Sequence, residues 1–293
     1  MNYKSYGNSI RAWLISFSTL LGFIASPCWA DMTTKVGISG GLELFREKEF
    51  VGTAVKETGN RYIATAFLDN GGKYDINTTL LYHLEASTYL GQIDYNGRTQ
   101  SSIPSQNNLP LSSKTDYLGG QAEGILGYRF KISGSPHAIE LLGGLGIDTW
   151  RRDIHDSTAS NGTPTSGITE SYNVYYGKIA LGYSGMLHNW HSHLIIGFKE
   201  PLKIIEHVNL IRAGYDNNVT LHPGNRYSGF IKVEFEPQLK DGKTGNWIIS
   251  VYYDGYRFDP SDSKPATLNG VSNQTSQPET HIDVYGLQIG YRF

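Results

Sequence analysis

The sequence predicts an all-β fold, a closed antiparallel transmembrane β-barrel of about ten strands. Three observations carry this. The final segment, Thr280–Phe293, alternates with a period of two: Tyr285, Leu287, Ile289, Tyr291 and Phe293 share one face, and Gly286, Gln288, Gly290 and Arg292 the other. Segments with the same alternation recur along the chain. The connections between them are long and short by turns, as in a barrel with short turns at one end and long loops at the other.

Taken in order, Val36, Ile38, Leu42 and Leu44 oppose Gly37, Ser39, Gly41 and Glu43 in a strand over 36–46. A second strand spans 62–68 and ends at a tight-turn signal, Asp69-Asn70-Gly71-Gly72. The third spans 76–95, with Leu80, Tyr82, Leu84, Ala86 and Leu90 toward lipid and His83, Glu85, Ser87 and Gly91 toward the lumen. The fourth, 116–131, sets Leu118, Ala122, Leu126, Tyr128 and Phe130 against Gln121, Glu123 and Arg129. In the fifth, Ile139, Leu141, Leu145 and Ile147 oppose Glu140, Gly144, Gly146 and Asp148. The sixth opposes Tyr175, Ile179, Leu181 and Tyr183 to Lys178, Ala180 and Gly182; the seventh opposes Leu194, Ile196 and Phe198 to His193, Gly197 and Lys199. The eighth opposes Tyr227, Ile231, Val233 and Phe235 to Ser228, Lys232 and Glu234; the ninth opposes Trp247, Ile249, Val251 and Tyr253 to Ser250, Tyr252 and Asp254. Long loops are expected near 47–60, 95–114, 151–170, 201–226 and 259–280, and short turns near 70–75, 132–137, 185–191 and 237–246. Eight or twelve strands remain alternative counts.

The amino terminus reads as an export signal. Lys4 and Arg11 precede an apolar stretch from Ala12 to Ala25, and Cys28-Trp29-Ala30 offers small residues for cleavage before Asp31. The apolar run is too short for a spanning helix, which needs about 20 residues, and Pro27 argues against a lipoprotein cut before Cys28. Residues 1–30 are thus expected to be removed and residues 31–293 to form a single barrel domain. The signal holds two of the 25 basic and none of the 27 acidic residues, so the mature charge is −4. That charge gives no reason to expect nucleic acid as a partner. The single Cys lies in the signal, so disulfide and thiol chemistry are excluded from the mature chain. A mean hydropathy of −0.34 does not conflict with a membrane barrel, because only alternate residues face lipid.

A closing strand that ends the chain on an aromatic residue resembles that of Gram-negative outer-membrane β-barrel proteins. The resemblance implies Tyr291 and Phe293 as a signal read by the barrel-assembly machinery, outer-membrane lipid and lipopolysaccharide as surroundings, and both termini on the periplasmic side. It implies no activity.

The face opposite the apolar one carries Glu43, His83, Glu85, Glu123, Arg129, Glu140, Lys178, Lys199, Lys232, Glu234, Asp254 and Arg292. Charges of both signs on an inner face are expected to pair across strands as a polar network, with a thin charge-lined pore as the other reading. Arg129 is expected to find at least one lumen carboxylate, with Glu85 and Glu123 on neighbouring strands. The chain also resembles omptin proteases in size and strand count. Their Asp-x-His motif is matched by Asp153-Ile154-His155, but the chain has no Asp-x-Asp, and Asp94 is the nearest substitute. Ser192-His193 would fit a lipid A deacylase pair but falls at a short turn, the wrong end for an outer-leaflet substrate. No Asn/His/Ser spacing suits a phospholipase barrel. His188, His191 and His193 crowd one turn without a metal-ligand pattern. The expectation is therefore a non-enzymatic barrel, a narrow porin-like pore or a surface-loop interaction protein, with no cofactor or metal. An outer-membrane hydrolase at the loop rim is the alternative.

Overall fold

A computed structural model describes residues 34–50, 55–70, 79–99, 107–237 and 247–293. The expected signal segment and the Gly71-Gly72 turn lie outside the described residues. Ten long antiparallel strands form the wall: β1 (Lys35–Glu49), β2 (Val55–Asp69), β3 (Leu80–Arg98), β4 (Pro110–Lys131), β5 (Ala138–Ile154), β6 (Thr169–Leu187), β7 (Trp190–Asn209), β8 (Ser228–Pro237), β9 (Trp247–Asp259) and β10 (Thr280–Arg292). Each pairs with its neighbours in sequence, and β10 pairs with β1 from Gly37↔Arg292 to Glu49↔Thr280, so the sheet closes on itself. Closure leaves no main-chain edge exposed to lipid, the condition a sheet must meet to span a bilayer. The Phe293 amide donates to the Val36 carbonyl at 2.8 Å, fastening the last residue to the start of β1.

The period-two pattern sorts side chains as a barrel requires. Leu84, Leu126, Ile231 and Ile249 point outward, and the outer surface carries a belt of exposed apolar residues that includes Leu126 at 65 % and Ile179 at 70 % exposure. An apolar band of this extent is unfavourable in water and suits hydrocarbon. Aromatic rings edge the belt: Trp247, Tyr291 and Phe293 pack edge to face at the short-turn end, and Tyr253 meets Tyr285 toward the long-loop end. Inside, glycine makes room where a ring reaches across. A Cβ on Gly286 would lie 2.1 Å from the Tyr252 ring, and one on Gly146 2.3 Å from the Tyr176 ring.

The strands run well beyond the belt. β3 has 19 residues and β4 has 22, against about 9–11 needed to cross a bilayer. Several expected loops are therefore largely strand: β1 continues to Glu49, β2 starts at Val55, and β7 continues to Asn209. The third strand starts at Leu80 within the described residues. Above the belt the outward positions turn polar (Arg46, Lys48, Lys56, Thr58) while the inward positions carry Glu47 and Glu57. Both faces are then polar, and the apolar alternation that marks a strand vanishes although the hydrogen-bond ladder continues. Three paired ribbons or short strands (157–165, 219–226 and 264–275) build up this end further. On β7 a bulge sits where Pro201 pairs with Tyr176 and Lys203 with Tyr175, leaving Leu202 extra. It switches the inward parity, so Lys199 faces in below the bulge and Ile204 and Glu206 face in above it.

Candidate functional site: the charged bore and the chamber above it

The bore is filled in layers. Nearest the short turns, the guanidinium of Arg292 on β10 bridges Asp69 of β2 at 3.1 Å and Glu236 of β8. Beside it Arg129 donates to Glu140 Oε1 from Nε at 2.9 Å and Nη2 at 2.8 Å, and Ser184 Oγ donates to the same oxygen at 2.5 Å. His193 lies between Glu140 (2.7 Å) and Glu234 (3.6 Å). Arg129 thus takes its partner from the adjoining strand β5 and not from Glu85 or Glu123.

In the middle, Lys178 pairs with Glu123 at 2.6 Å, Lys199 with Asp254 at 2.6 Å, and His83 with Glu85 at 3.0 Å. Lys232 reaches both Glu234 (3.3 Å) and Glu85 (3.6 Å). β8 and β3 stand diametrically opposite in the ring, so the Lys232–Glu85 contact crosses the whole bore. Arg61 donates to Glu43 at 2.8 and 3.1 Å and stacks between the rings of Tyr89 (4.2 Å) and Phe45 (4.5 Å). Lys199 lies over the Tyr256 ring at 3.4 Å. A cavity of about 130 Å³ remains at this level, with Glu43, Arg61, Glu85, Glu123, Lys178 and Lys232 among its walls.

An aromatic layer lies on top. Phe45, Tyr89, Trp150, Tyr176, Tyr256 and Phe258 are buried together, and the Tyr89 and Tyr256 hydroxyls both donate to Asp148, at 2.7 and 2.9 Å. Above this layer, beyond the apolar belt, is a second polar chamber of different make. Arg152 of β5 contacts Glu47 (3.0 Å), Glu49 (2.8 Å), Glu57 (2.9 Å) and Glu170 (3.0 Å). Tyr117 donates to Glu47 at 2.8 Å and also to Glu57, which receives Thr115 Oγ1 as well at 3.0 Å. A fifth carboxyl, Glu206, is fully buried beside Tyr172, its cross-strand partner, and neither of its oxygens has a hydrogen-bond partner. Burial pushes Glu47 up to about 8 and Glu170 up to about 7, against the opposing pull of Arg152. Burial also raises Glu206 well above the usual carboxylate range, with Glu170 adding to the rise.

The eleven lumen candidates, from Glu43 to Asp254, all lie inside the wall, and so does Arg292. Asp94, Asp153 and His155 lie on the outer wall above the belt and do not converge. Asp94 binds Lys114; Asp153 receives Thr169 at 3.1 Å, Arg151 at 3.2 Å, and Arg212; His155 pairs with Asp116 at 2.8 Å. The chamber residues Glu47, Glu49, Glu57, Arg152, Glu170 and Glu206 were not singled out by sequence because they fall in stretches that read as loop. The usable signal was parity: Glu47 continues the inward series Glu43, Phe45. Among the described residues no three His, Cys, Asp or Glu side chains are disposed to hold a metal ion.

Compared with solved structures, the chain is similar to the outer membrane protease OmpT from Escherichia coli, with a TM-score of 0.54 and 10% identity over 88% of this chain and 97% of that one. The chain has the fold of a ten-stranded outer-membrane β-barrel. It also aligns with the transport unit of the autotransporter AIDA-I from Escherichia coli, at a TM-score of 0.41 and 9% identity, over 95% of this chain and 98% of that one. No protein-family model matches the sequence, and no curated protein matches it in sequence. The likeness to OmpT is one of fold, since at 10% identity it carries no residue-level correspondence.

Proposed function

We propose that this outer-membrane barrel is closed to solutes and works through its long-loop end, as a surface interaction protein. The observation that carries this reading is the Lys232–Glu85 contact between diametrically opposed strands, at 3.6 Å. Charges that meet in mid-bore, backed by an aromatic layer and by Arg129 and Arg292 below, leave little path for ions. The ordered β extension above the belt is the part built for contact with other molecules. In this reading the signal segment is removed before Asp31, both termini face the periplasm, Tyr291 and Phe293 present the assembly signal, and the wall lies among lipid and lipopolysaccharide.

The test is planar-bilayer conductance of the refolded protein. The closed reading expects a silent membrane for the wild type and steps for Glu85→Ala with Lys232→Ala. Regular wild-type steps would overturn it. A narrow pore is the second reading, favoured by the charge-lined cavity at the same level. The hydrolase alternative rests on the shared fold alone, since Asp94, Asp153 and His155 stand apart on the outer wall.

A further inference from the structure

The chamber above the aromatic layer holds five carboxyl groups and one guanidinium, all of them buried except at the edge of Glu49. A fully ionised set would place four uncompensated negative charges in a space shielded from water, and buried like charges do not all stay ionised. Something must neutralise them. The described acids are not disposed as a metal shell, and the cavity described above lies below the aromatic layer, not here. A proton needs no cavity. Glu206 fits this role best: it is fully buried, it makes no hydrogen bond, and it is flanked across the sheet by Tyr172 on one side and Leu221 on the other.

We propose that the long-loop end is a proton-held latch: protons shared among Glu47, Glu170 and Glu206 keep the tops of β1, β2, β6 and β7 drawn onto Arg152, and their loss loosens that end while the lower barrel stays intact. The groups facing these acids come from β1 to β6, β9 and β10. β1 and β2 add Glu49 and Glu57, β3 adds Tyr95, β4 adds Tyr117 and Thr115, β5 adds Arg152, and β6 adds Tyr172. β9 and β10 present Phe258, Ile282 and Thr280, none of which titrates. Arg152 is thus the chamber's one permanent cation among the described residues, and it is already shared by four carboxyls.

The sign follows from the raised carboxyls. Glu47 moves from 4.5 to about 8 and Glu170 from 4.5 to about 7, so the folded chamber holds protons that the open one releases. Its closure is complete below about pH 4.5 and is lost progressively as pH rises through 7 to 8. The latch deepens the surface-interaction reading by giving the proposed working end two states, but it stands whether or not the bore conducts.

The test is hydrogen exchange by mass spectrometry on the full mature protein in lipid vesicles, at pH 6.0 and pH 8.8, with rates corrected for intrinsic pH dependence. Protection should fall at least tenfold at pH 8.8 over residues 46–50, 55–58, 169–173 and 203–209, with no change over 129–142. Glu47→Gln with Glu170→Gln makes two of the three proton-holding groups permanently uncharged, and the same pair with Glu206→Gln makes all three so, leaving Glu49 and Glu57 beside Arg152; both variants should hold protection at pH 8.8 within threefold of its pH 6.0 value. Using both variants guards against one misfolding. Equal corrected protection at the two pH values in the wild type would overturn the latch, and so would loss of protection that persists in both Gln variants.

Discussion

The two polar regions of this barrel solve the problem of buried charge in opposite ways. Below the aromatic layer, every carboxylate named has a cation beside it, with five cations facing seven carboxylates. Arg129 has Glu140, Arg292 has Asp69 and Glu236, and Lys178, Lys199 and Lys232 have Glu123, Asp254 and Glu85 with Glu234. Above it, one arginine is shared by four carboxyls and a fifth has no hydrogen bond. The lower region sits within the apolar belt, where an uncompensated charge has no solvent to retreat to. The upper region stands clear of the belt, where opening to water is an available alternative. The difference teaches that near-complete pairing follows from the lipid surroundings, and that a large imbalance is tolerated only where a segment can open.

The largest expected effect breaks the comparison at its weakest point. Arg152→Met leaves the upper carboxyls with no cation and should disorder the long-loop end, costing more than the ~3–5 kcal/mol typical of breaking one buried pair. Chemical denaturation combined with protease sensitivity over residues 46–50 and 55–58 would show it. Arg129→Met should cost about 3–5 kcal/mol, because Glu140 is then left buried with only His193 and Ser184. Arg129→Met with Glu140→Met should recover most of that loss, since an apolar pair of similar volume removes both charges together. If the double variant is as unstable as the single, the lower pairs are not independent units.

How far the sequence revealed this depends on the surroundings of each segment. The closure, the strand number and the outward facing of Leu84 and Leu126 were legible, because lipid imposes an apolar face on every alternate residue. The charged positions of the lower bore were legible for the same reason, as the residues opposite that face. Their partners were not: Arg129 joins Glu140 and Lys232 reaches Glu85 across the bore, and only the closed register brings such residues together. The upper chamber was hidden because lipid no longer dictates the outer face there. Arg46 and Lys48 stand outside with Glu47 inside, and polar residues on both faces read as loop. Leu202 hid the parity of Glu206 as well, since a single bulged residue inverts everything after it.

A smaller effect sharpens the boundary between the two regions. Leu126→Arg should cost ~2–4 kcal/mol, as a charge placed in the lipid belt, whereas Thr58→Arg, on the outer face above the belt, should change stability by less than about 0.5 kcal/mol. Equal costs at the two sites, measured by urea unfolding in vesicles, would move the membrane boundary from where the apolar belt ends.

The central claim is that protons neutralise the upper chamber while ion pairs neutralise the lower bore. It is tested most directly by the thermal midpoint of heat modification between pH 5 and 8.5, compared among the wild type, Glu47→Gln with Glu170→Gln and Glu206→Gln combined, and Arg129→Met with Glu140→Met. The wild-type midpoint should fall as pH rises through 7 to 8, by roughly 5 °C or more for a stability loss above 2 kcal/mol. The lower-bore variant should keep that slope and the triple Gln variant should lose it. A slope that survives in the triple variant but disappears in the lower-bore variant would contradict the account.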